Sequence, residues 1–578
     1  MTPNKSNITA ASGKSYALNI TTFLPEKSLN KLNSLILVCV LFQVSSYSQS
    51  AIFQFNPPAG NITTIIDTIS CPGIKPGDII HLSEGTYYQI LIQNITGSAN
   101  NPVVLKNFMG QTIINGDTAN YGISVRNSKF LNLSGNGMDS IFYGIKIAKV
   151  GRGGGLSLDK LSTDIKVSRI EISNTALSGL IAKSDPDCTF TSTRDKFTMY
   201  NIEIHDCYLH DIGMEGIYAG NSFYTGRTIK CDGKDTLVYP HVIEGIKVYN
   251  NIIQRTGRNG MQVNSAAKNC QIFNNRISHD SESGTPNQMG GIQIGGGSVC
   301  DCYSNHISDG KGSGIEIFGR GNILIFNNLI EYPGRNYMPD TVHYAYPKHG
   351  IFLKDVATDT GAVIHIFHNT IIFPKSDGIL FTNKKLSGSR IQNNIIVNPG
   401  SYSEIGSNAF VHSMDVDLTV SHNVFELDMS KLHFADYLKG DYNPTANSPA
   451  LDAGFDLQAE GIEFDFNYRI RPQGKGFDIG AFESEPGNNG NEATNHLLIF
   501  PNPFAEEVSI TYYQQFSGNV TLEIYSITGQ IVYDSIFYNK PAGVNTIGLK
   551  LKGMRSGIYT FRLITEERSY NEKMYLKK

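Results

Sequence analysis

The sequence predicts an all-β solenoid, a parallel β-helix, on three observations. An asparagine keeps returning to one place: Asn251, Asn275, Asn305, Asn328, Asn369, Asn394 and Asn423, with Cys207 in the matching slot ahead of them. Each is framed by the same apolar alternation. Ile202, Ile246, Cys270, Cys300, Ile323, Ile364, Ser389 and Leu418 stand five residues before, and Ile204, Val248, Ile272, Cys302, Ile325, Ile366, Ile391 and Val420 three before. Leu209, Ile253, Ile277, Ile307, Ile330, Ile371, Ile396 and Phe425 stand two after. Third, a glycine followed by apolar-any-apolar recurs between them, at Gly216, Gly260, Gly291, Gly314, Gly350 and Gly378. A repeat of this length is the mark of a solenoid, and the period of two inside each unit makes it a strand with one buried face. Most spacings are 23 to 30 residues, too short for propeller blades of roughly 40–45 residues.

Taken in order, residues 1–49 read as an N-terminal extension and signal peptide. Leu35 to Val44 (LILVCVLFQV) is apolar, follows Lys27 and Lys31, and is followed by Ser45, Ser46, Tyr47 and Ser48. It is too short to span a bilayer and right for a signal core. Residues 50–440 read as the coil itself. Each turn has a first strand (G-I-x-I), a second strand (I-x-I-x-x-N), a tight turn at the Asn, a short third strand and a return loop of variable length. Stacked turns lie about 4.8 Å apart, so like residues form ladders, and internal Asn side chains can bond to their own copies. The segments Gly77 to Tyr87, Asn101 to Gly116 and Tyr121 to Gly137 alternate in the same manner, less regularly. The first of them, GDIIHLSEGTY, resembles the opening coils of secreted right-handed β-helix proteins, including chondroitinase-B-like and alginate lyases. That likeness implies a right-handed coil and a polysaccharide as partner.

Residues 441–483 contain DYNPTANSPALDAG and DFNYRIRPQGKGFDIGAFE, which resemble the closing segment of bacterial surface β-helix proteins called a choice-of-anchor Q region. An open solenoid end exposes sheet edge and apolar core. The segment is therefore expected to cap the helix, with Asp465, Arg469, Arg471 and Asp478 as a polar lid. Residues 484–494 are a Gly/Asn-rich linker. Residues 495–578 alternate as short strands of a small Ig-like β-sandwich. Its P-N-P-F opening, I-Y-S-I-T-G-Q-I-V centre, S-G-I-Y-T-F-R-L hairpin and basic tail closely resemble the C-terminal sorting domain of the Bacteroidetes type IX secretion system. The resemblance implies a Gram-negative protein, secreted or at the outer-membrane surface, that engages that machinery and loses the module during sorting.

A net charge of −4 over 578 residues argues against nucleic acid as a partner, and no other segment is apolar enough to cross a membrane after signal removal. Export permits disulfides. Cys188 with Cys231 is the favoured pair, and Cys270 can bridge Cys300 because they neighbour each other on one ladder. Alternation turns Cys300 and Cys302 both inward, which argues against a metal ligand pair there. The chain has no Trp, so any surface on which a sugar stacks must be Tyr or Phe.

In such a coil, chemistry belongs on the outward face of the first strands: Tyr218, Gln262, Gln293, Glu316, Phe352 and Leu380, then one step along Asn264 and Lys354. Two long return loops, Ser278 to Met289 and Glu331 to His349, add His279, Asp280, Glu282, Arg335, His343, Tyr344, Tyr346, Lys348 and His349; function concentrates on long loops held by a rigid scaffold. Eliminative cleavage of a uronate polymer needs a group that neutralises the carboxylate, a base and an acid. Lys354, His349 or His279 suit the base, Arg335, Arg258 or Gln293 the neutraliser, and Tyr344 or Tyr346 the acid. Tyr218, Gln262, Asn264, Gln293, Arg258 and Lys348 are expected to bind substrate, and Glu316 to take part in catalysis. Glu316 with Asp280 can alternatively hold Ca²⁺ through oxygen ligands. Hydrolysis needs two carboxyls about 5–9 Å apart; the strand face offers Glu316 alone, so Asp280 or Glu282 would supply the second. The N-T-D, D-D and R-I-K pattern of polygalacturonases and the D-P-H-D pattern of mannuronan epimerases are absent, and the calcium cluster of chondroitinase-B-like lyases is not matched. The expectation is an exported β-helix that cleaves an acidic, uronate-containing polysaccharide by β-elimination. A non-catalytic glycan-binding or adhesion protein and a glycoside hydrolase are the alternatives.

Overall fold

A computed structural model describes residues 50–138, 141–338, 347–353, 358–400, 408–413 and 416–484. In the C-terminal module it describes residues 497–500, 504, 506–514, 518–540, 543–565 and 569–576. The signal segment, Tyr344, Tyr346 and Lys354 lie outside the described residues. The first strands pair in parallel into a single 12-stranded sheet, here sheet 1, running from Thr63–Ile66 to Val411–Ser413. The second and third strands form a 24-stranded parallel sheet that makes the other two walls. Chain order and spatial order coincide, one strand of each wall per coil. In register, Ile202 sits on Ile246, Cys270 on Cys300 and Ile323 on Ile364. The ladder three residues before the Asn (Ile204, Val248, Ile272, Cys302, Ile325, Ile366, Ile391) is fully buried.

The Asn ladder explains why the coil turns where it does. The Oδ1 of Asn275 accepts the backbone N–H and the Nδ2 of Asn251, at 3.1 and 3.0 Å. Its own Nδ2 donates to Val248 O of the preceding coil and to Asn305 Oδ1, both at 2.9 Å. The same bonds repeat through Asn305, Asn328, Asn369, Asn394 and Asn423, and at the head Cys207 N donates to Asn251 Oδ1. The residue before each Asn turns the corner in the left-handed region: Asp206, Asn250, Asn274, Ser304, Asn327, His368, Asn393 and His422 have φ of 50° to 58°. Six of these eight are Asn, Asp or Ser, and Asn and Asp tolerate that conformation best. Both expected disulfides are present, Cys188–Cys231 joining two long excursions from successive coils and Cys270–Cys300 between neighbouring coils.

The expected cap is corrected by the structure. Residues 441–483 run along the flank of the coil, and the inward ladder residues of the last coil, Val420 and Phe425, remain 42% and 38% exposed. The reason is hydrogen bonding. The left-handed corner residues point polar side chains outward, and the segment docks on them: Asn393 exchanges two bonds with Phe455, each 2.8 Å, and Asn327 receives Arg471 at 3.2 Å. Gly480 N donates to Asn393 O and Ala481 N to Thr370 Oγ1. Ile372, Ile395 and Val397 of the coil pack against Tyr442, Ala450, Ile479 and Phe482. Of the residues expected to form a lid, Asp465, Arg471 and Asp478 are buried, Arg471 pairs with Glu483 at 2.6 Å, and the half-buried Arg469 donates to Glu483 O at 3.2 Å. The C-terminal module packs a three-stranded antiparallel sheet (Leu497–Phe500, Glu507–Gln514, Gly543–Lys550) against a four-stranded one (Gly518–Ser526, Ile531–Lys540, Gly557–Ile564, Ser569–Leu576).

Asn305→Ala strands the N–H of Asn275 and the carbonyl of Ile272, both buried, and takes one of the acceptors from Asn275 Nδ2. It is expected to cost about 2–4 kcal/mol, measured as the shift in urea unfolding. Asn423→Ala, in the open last coil, is expected to cost about 1 kcal/mol or less.

Candidate active site on the first strands

The outward row of sheet 1 is a straight ladder of Cα partners: Tyr218 on Gln262, Gln262 on Gln293, Gln293 on Glu316, Glu316 on Phe352, Phe352 on Leu380 and Leu380 on His412. A second row lies at the start of the same strands, on the residue before each glycine of the G-I-x-I signal: Ser178, Glu215, Asn259, Gly290, Ser313, His349 and Asp377. Sequence reasoning read the glycines and passed over their predecessors, which is why Glu215, Asn259 and Asp377 were missed. The signal was present in the repeat, as E-G, N-G, H-G and D-G at one register. Gly290 is the exception in that row for a steric reason. A Cβ there would come within 3.1 Å of Glu316 Cγ, so the side chain absent from Gly290 leaves the space in which Glu316 lies.

Two groups form on this face. In the first, Glu316 and Lys348 are 7% and 5% exposed and Asp280 is 1% exposed. Burial pushes the Glu316 carboxyl up to about 7; the Lys348 ammonium opposes the rise and the Asp280 charge adds to it. Burial likewise raises Asp280 to about 6, against the bond from Ser281 Oγ at 2.6 Å. Lys348 is lowered by burial, with Glu316 and Asp280 holding it up. Its ammonium sits 4.9 Å from the ring centroid of Tyr337, a buried residue the sequence did not single out. Asp280 is held tightly, since a Cβ on Gly310 would fall 1.8 Å from its Oδ2. In the second group, His349 Nδ1 and His412 Nδ1 each lie 3.3 Å from Asp377 Oδ2, and Asp377 Oδ1 accepts from Ala409 N at 2.9 Å. The His349 ring stacks on Phe352 with centroids 5.5 Å apart, placing it one coil from Glu316.

The remaining expected residues divide. Gln262, Gln293, Glu316, Lys348 and His349 come together. Tyr218 borders them, capped by Lys183 at 4.9 Å. Arg258 lies at the edge, paired to Glu215 at 3.4 Å. Asn264 is corrected: it is fully buried under Gly295 and donates to Ala219 O, so it braces Gln262 and does not face a ligand. Arg335 lies over Tyr332 and near Asp309, just after the third strand Leu329–Glu331. His279 is exposed and takes a left-handed turn (φ 55°) that carries Asp280 inward in its stead. For calcium, no three His, Cys, Asp or Glu converge among the described residues. Glu316 and Asp280 meet a lysine, whose ammonium supplies the compensating positive charge there.

Residues 237–425 match the family described as right handed beta helix region, and residues 498–577 match the secretion system C-terminal sorting domain. No curated protein matches the chain. Among solved structures the chain is similar to an alginate lyase from a Paenibacillus species, with 13% identity over 63% of this chain and 99% of that one and a TM-score of 0.31. The A-module of a mannuronan C-5 epimerase from Azotobacter vinelandii gives 15% identity over 61% and 92%, with a TM-score of 0.33. The enzymatically active domain of tailspike protein 2 of bacteriophage CBA120 gives 10% over 87% and 72%, also at 0.33. Among the described residues no helix is long and apolar enough to cross a membrane. The chain thus joins a right-handed parallel β-helix to a secretion-system sorting domain, and is a secreted or cell-surface protein.

Proposed function

We propose that the protein cleaves an acidic, uronate-containing polysaccharide by β-elimination along the outward row of sheet 1. The observation that carries this reading is the meeting, on adjacent coils, of an amide floor, a buried carboxyl and a histidine whose Nδ1 lies 3.3 Å from a carboxylate oxygen. Gln293 and the protonated Glu316 donate hydrogen bonds to the uronate carboxylate, which makes the neighbouring C–H acidic. His349, whose Nδ1 faces Asp377, takes that proton. The electron pair forms the new C=C bond, the glycosidic C–O bond breaks, and the leaving oxygen takes a proton from Lys348, which burial has made the readier to release it. With Tyr344, Tyr346 and Lys354 outside the described residues, Lys348 and His349 take the acid and base roles here. Asp280 acts through Glu316, keeping it protonated, and is a positioning residue.

Hydrolysis is the second reading, and one observation favours it. Asp280 supplies beside Glu316 the second carboxyl that the strand face lacks. The two chemistries separate in one assay. Incubation of the full chain with uronate polymers is expected to raise ultraviolet absorbance from unsaturated ends in step with new reducing ends. Reducing ends without absorbance identify a hydrolase, and binding without either identifies a glycan-binding surface protein.

His349→Ala is expected to lower kcat by about 10²–10⁴-fold, the range of a lost general base. The pH dependence follows from the sign of the Glu316 shift. A carboxyl raised to about 7 is a neutral donor below that pH and loses its proton above it. Activity is therefore expected to fall as pH rises through about 7, and Glu316→Gln, which always donates, is expected to flatten that limb.

A further inference from the structure

The floor amides form a one-way hydrogen-bond circuit fixed at both ends by backbone. At one end the Gly290 N–H donates to Asn259 Oδ1 at 2.8 Å. Because that oxygen faces a donor, the Nδ2 of Asn259 must face the other way, and it donates to Gln293 Oε1 at 2.8 Å and to Gln262 Oε1 at 3.4 Å. Gln262 Nε2 in turn donates to Asn264 Oδ1 at 3.0 Å, and Asn264 Nδ2 ends the circuit on Ala219 O at 3.3 Å. Amide orientation is ordinarily ambiguous; here a backbone donor and a backbone acceptor leave only one assignment that satisfies every bond. Among the described residues one group of the circuit has no protein partner, the Nε2 of Gln293, on the outward row beside Glu316.

We propose that Asn259 is a positioning residue that sets the charge preference of the groove: by claiming the oxygen of Gln293 it obliges that side chain to present its N–H donors, and so selects a carboxylate-bearing sugar over its neutral counterpart. The inference rests on the reading of sheet 1 as a uronate site. It goes beyond that reading in locating the choice on a fully buried residue that the ligand does not touch. An acceptor-only side chain at position 259 keeps the bond from Gly290 and offers oxygen to Gln293. Gln293 must then turn its N–H inward and present its carbonyl, which repels a carboxylate and still serves a hydroxyl.

The test compares the full chain with Asn259→Asp and Gln293→Glu, using an acidic polymer and the same polymer with its carboxyls reduced to alcohols. Asn259→Asp is expected to weaken binding of the acidic polymer by about 10- to 100-fold, the value of a hydrogen bond to a charged group. Binding of the reduced polymer is expected to change by less than about threefold, because neutral hydroxyls accept as well as donate. Gln293→Glu leaves the circuit intact and places a negative charge at the free position, so it is expected to show the same loss of selectivity even if Asn259→Asp does not fold. Equal weakening of both polymers, or unchanged selectivity in either folded variant while wild type prefers the acidic polymer, overturns the role of Asn259 alone. Wild type that binds both polymers equally, or neither, overturns the uronate reading and the inference with it.

Discussion

Every coil must reverse direction at a corner where the backbone has left one strand and not yet joined the next, and the polar groups there are buried. The ladder of asparagines answers this constraint. A single amide side chain accepts from the neighbouring coil's N–H and donates to its carbonyl, so each turn is completed by the next one. Burying such groups without partners costs about 1–3 kcal/mol each. The repeat therefore cannot lose its Asn without loss of stability, nor shift register by one residue without turning its Ile ladder to solvent. Because each coil depends on the next, the ends are the weak places, and the last coil shows this in its exposed Val420 and Phe425.

The same vertical stacking makes the candidate site. Side chains at one register become near neighbours although they lie 23 to 31 residues apart in sequence, as with Gln293 to Glu316 and Gln262 to Gln293. Charges placed in such a row lose water and must find one another. Glu316, Asp280 and Lys348 do so as one group, and His349, Asp377 and His412 as another. The lysine offsets only part of the desolvation, so a proton stays on Glu316 up to about pH 7. The C-terminal part of the coil uses its corners differently. There the left-handed residues Asn327 and Asn393 offer side-chain bonds to the flanking segment, which leaves sheet 1 uncovered by it.

Much of the fold was legible because its determinants are local and periodic. Asn and Ile at fixed spacing name the strands, the buried face and the turn, and two inward Cys on one ladder foretell the Cys270–Cys300 bridge. The site was legible in part for the same reason: Gln262, Gln293 and Glu316 follow from strand alternation. Asp280 and Lys348 sat in loops whose path no period describes. Asn264 looked outward by counting, yet the strand ends at Val263 and the chain folds it under Gly295. Asp377 and Asn259 were missed because the repeat was read from its glycines, and the residue before each glycine already belongs to the floor.

By itself, the amino-acid order determined the parallel coil, its register, its export and the composition of its floor, since each depends on residues that repeat or stand close together in the chain. Only the tertiary structure decided that residues 441–483 embrace a flank instead of closing an end, that Asp280 turns in while His279 turns out, and which way the floor amides face. Those outcomes depend on which buried donors and acceptors find partners across distant segments, a condition that is met in space and leaves no periodic trace in sequence.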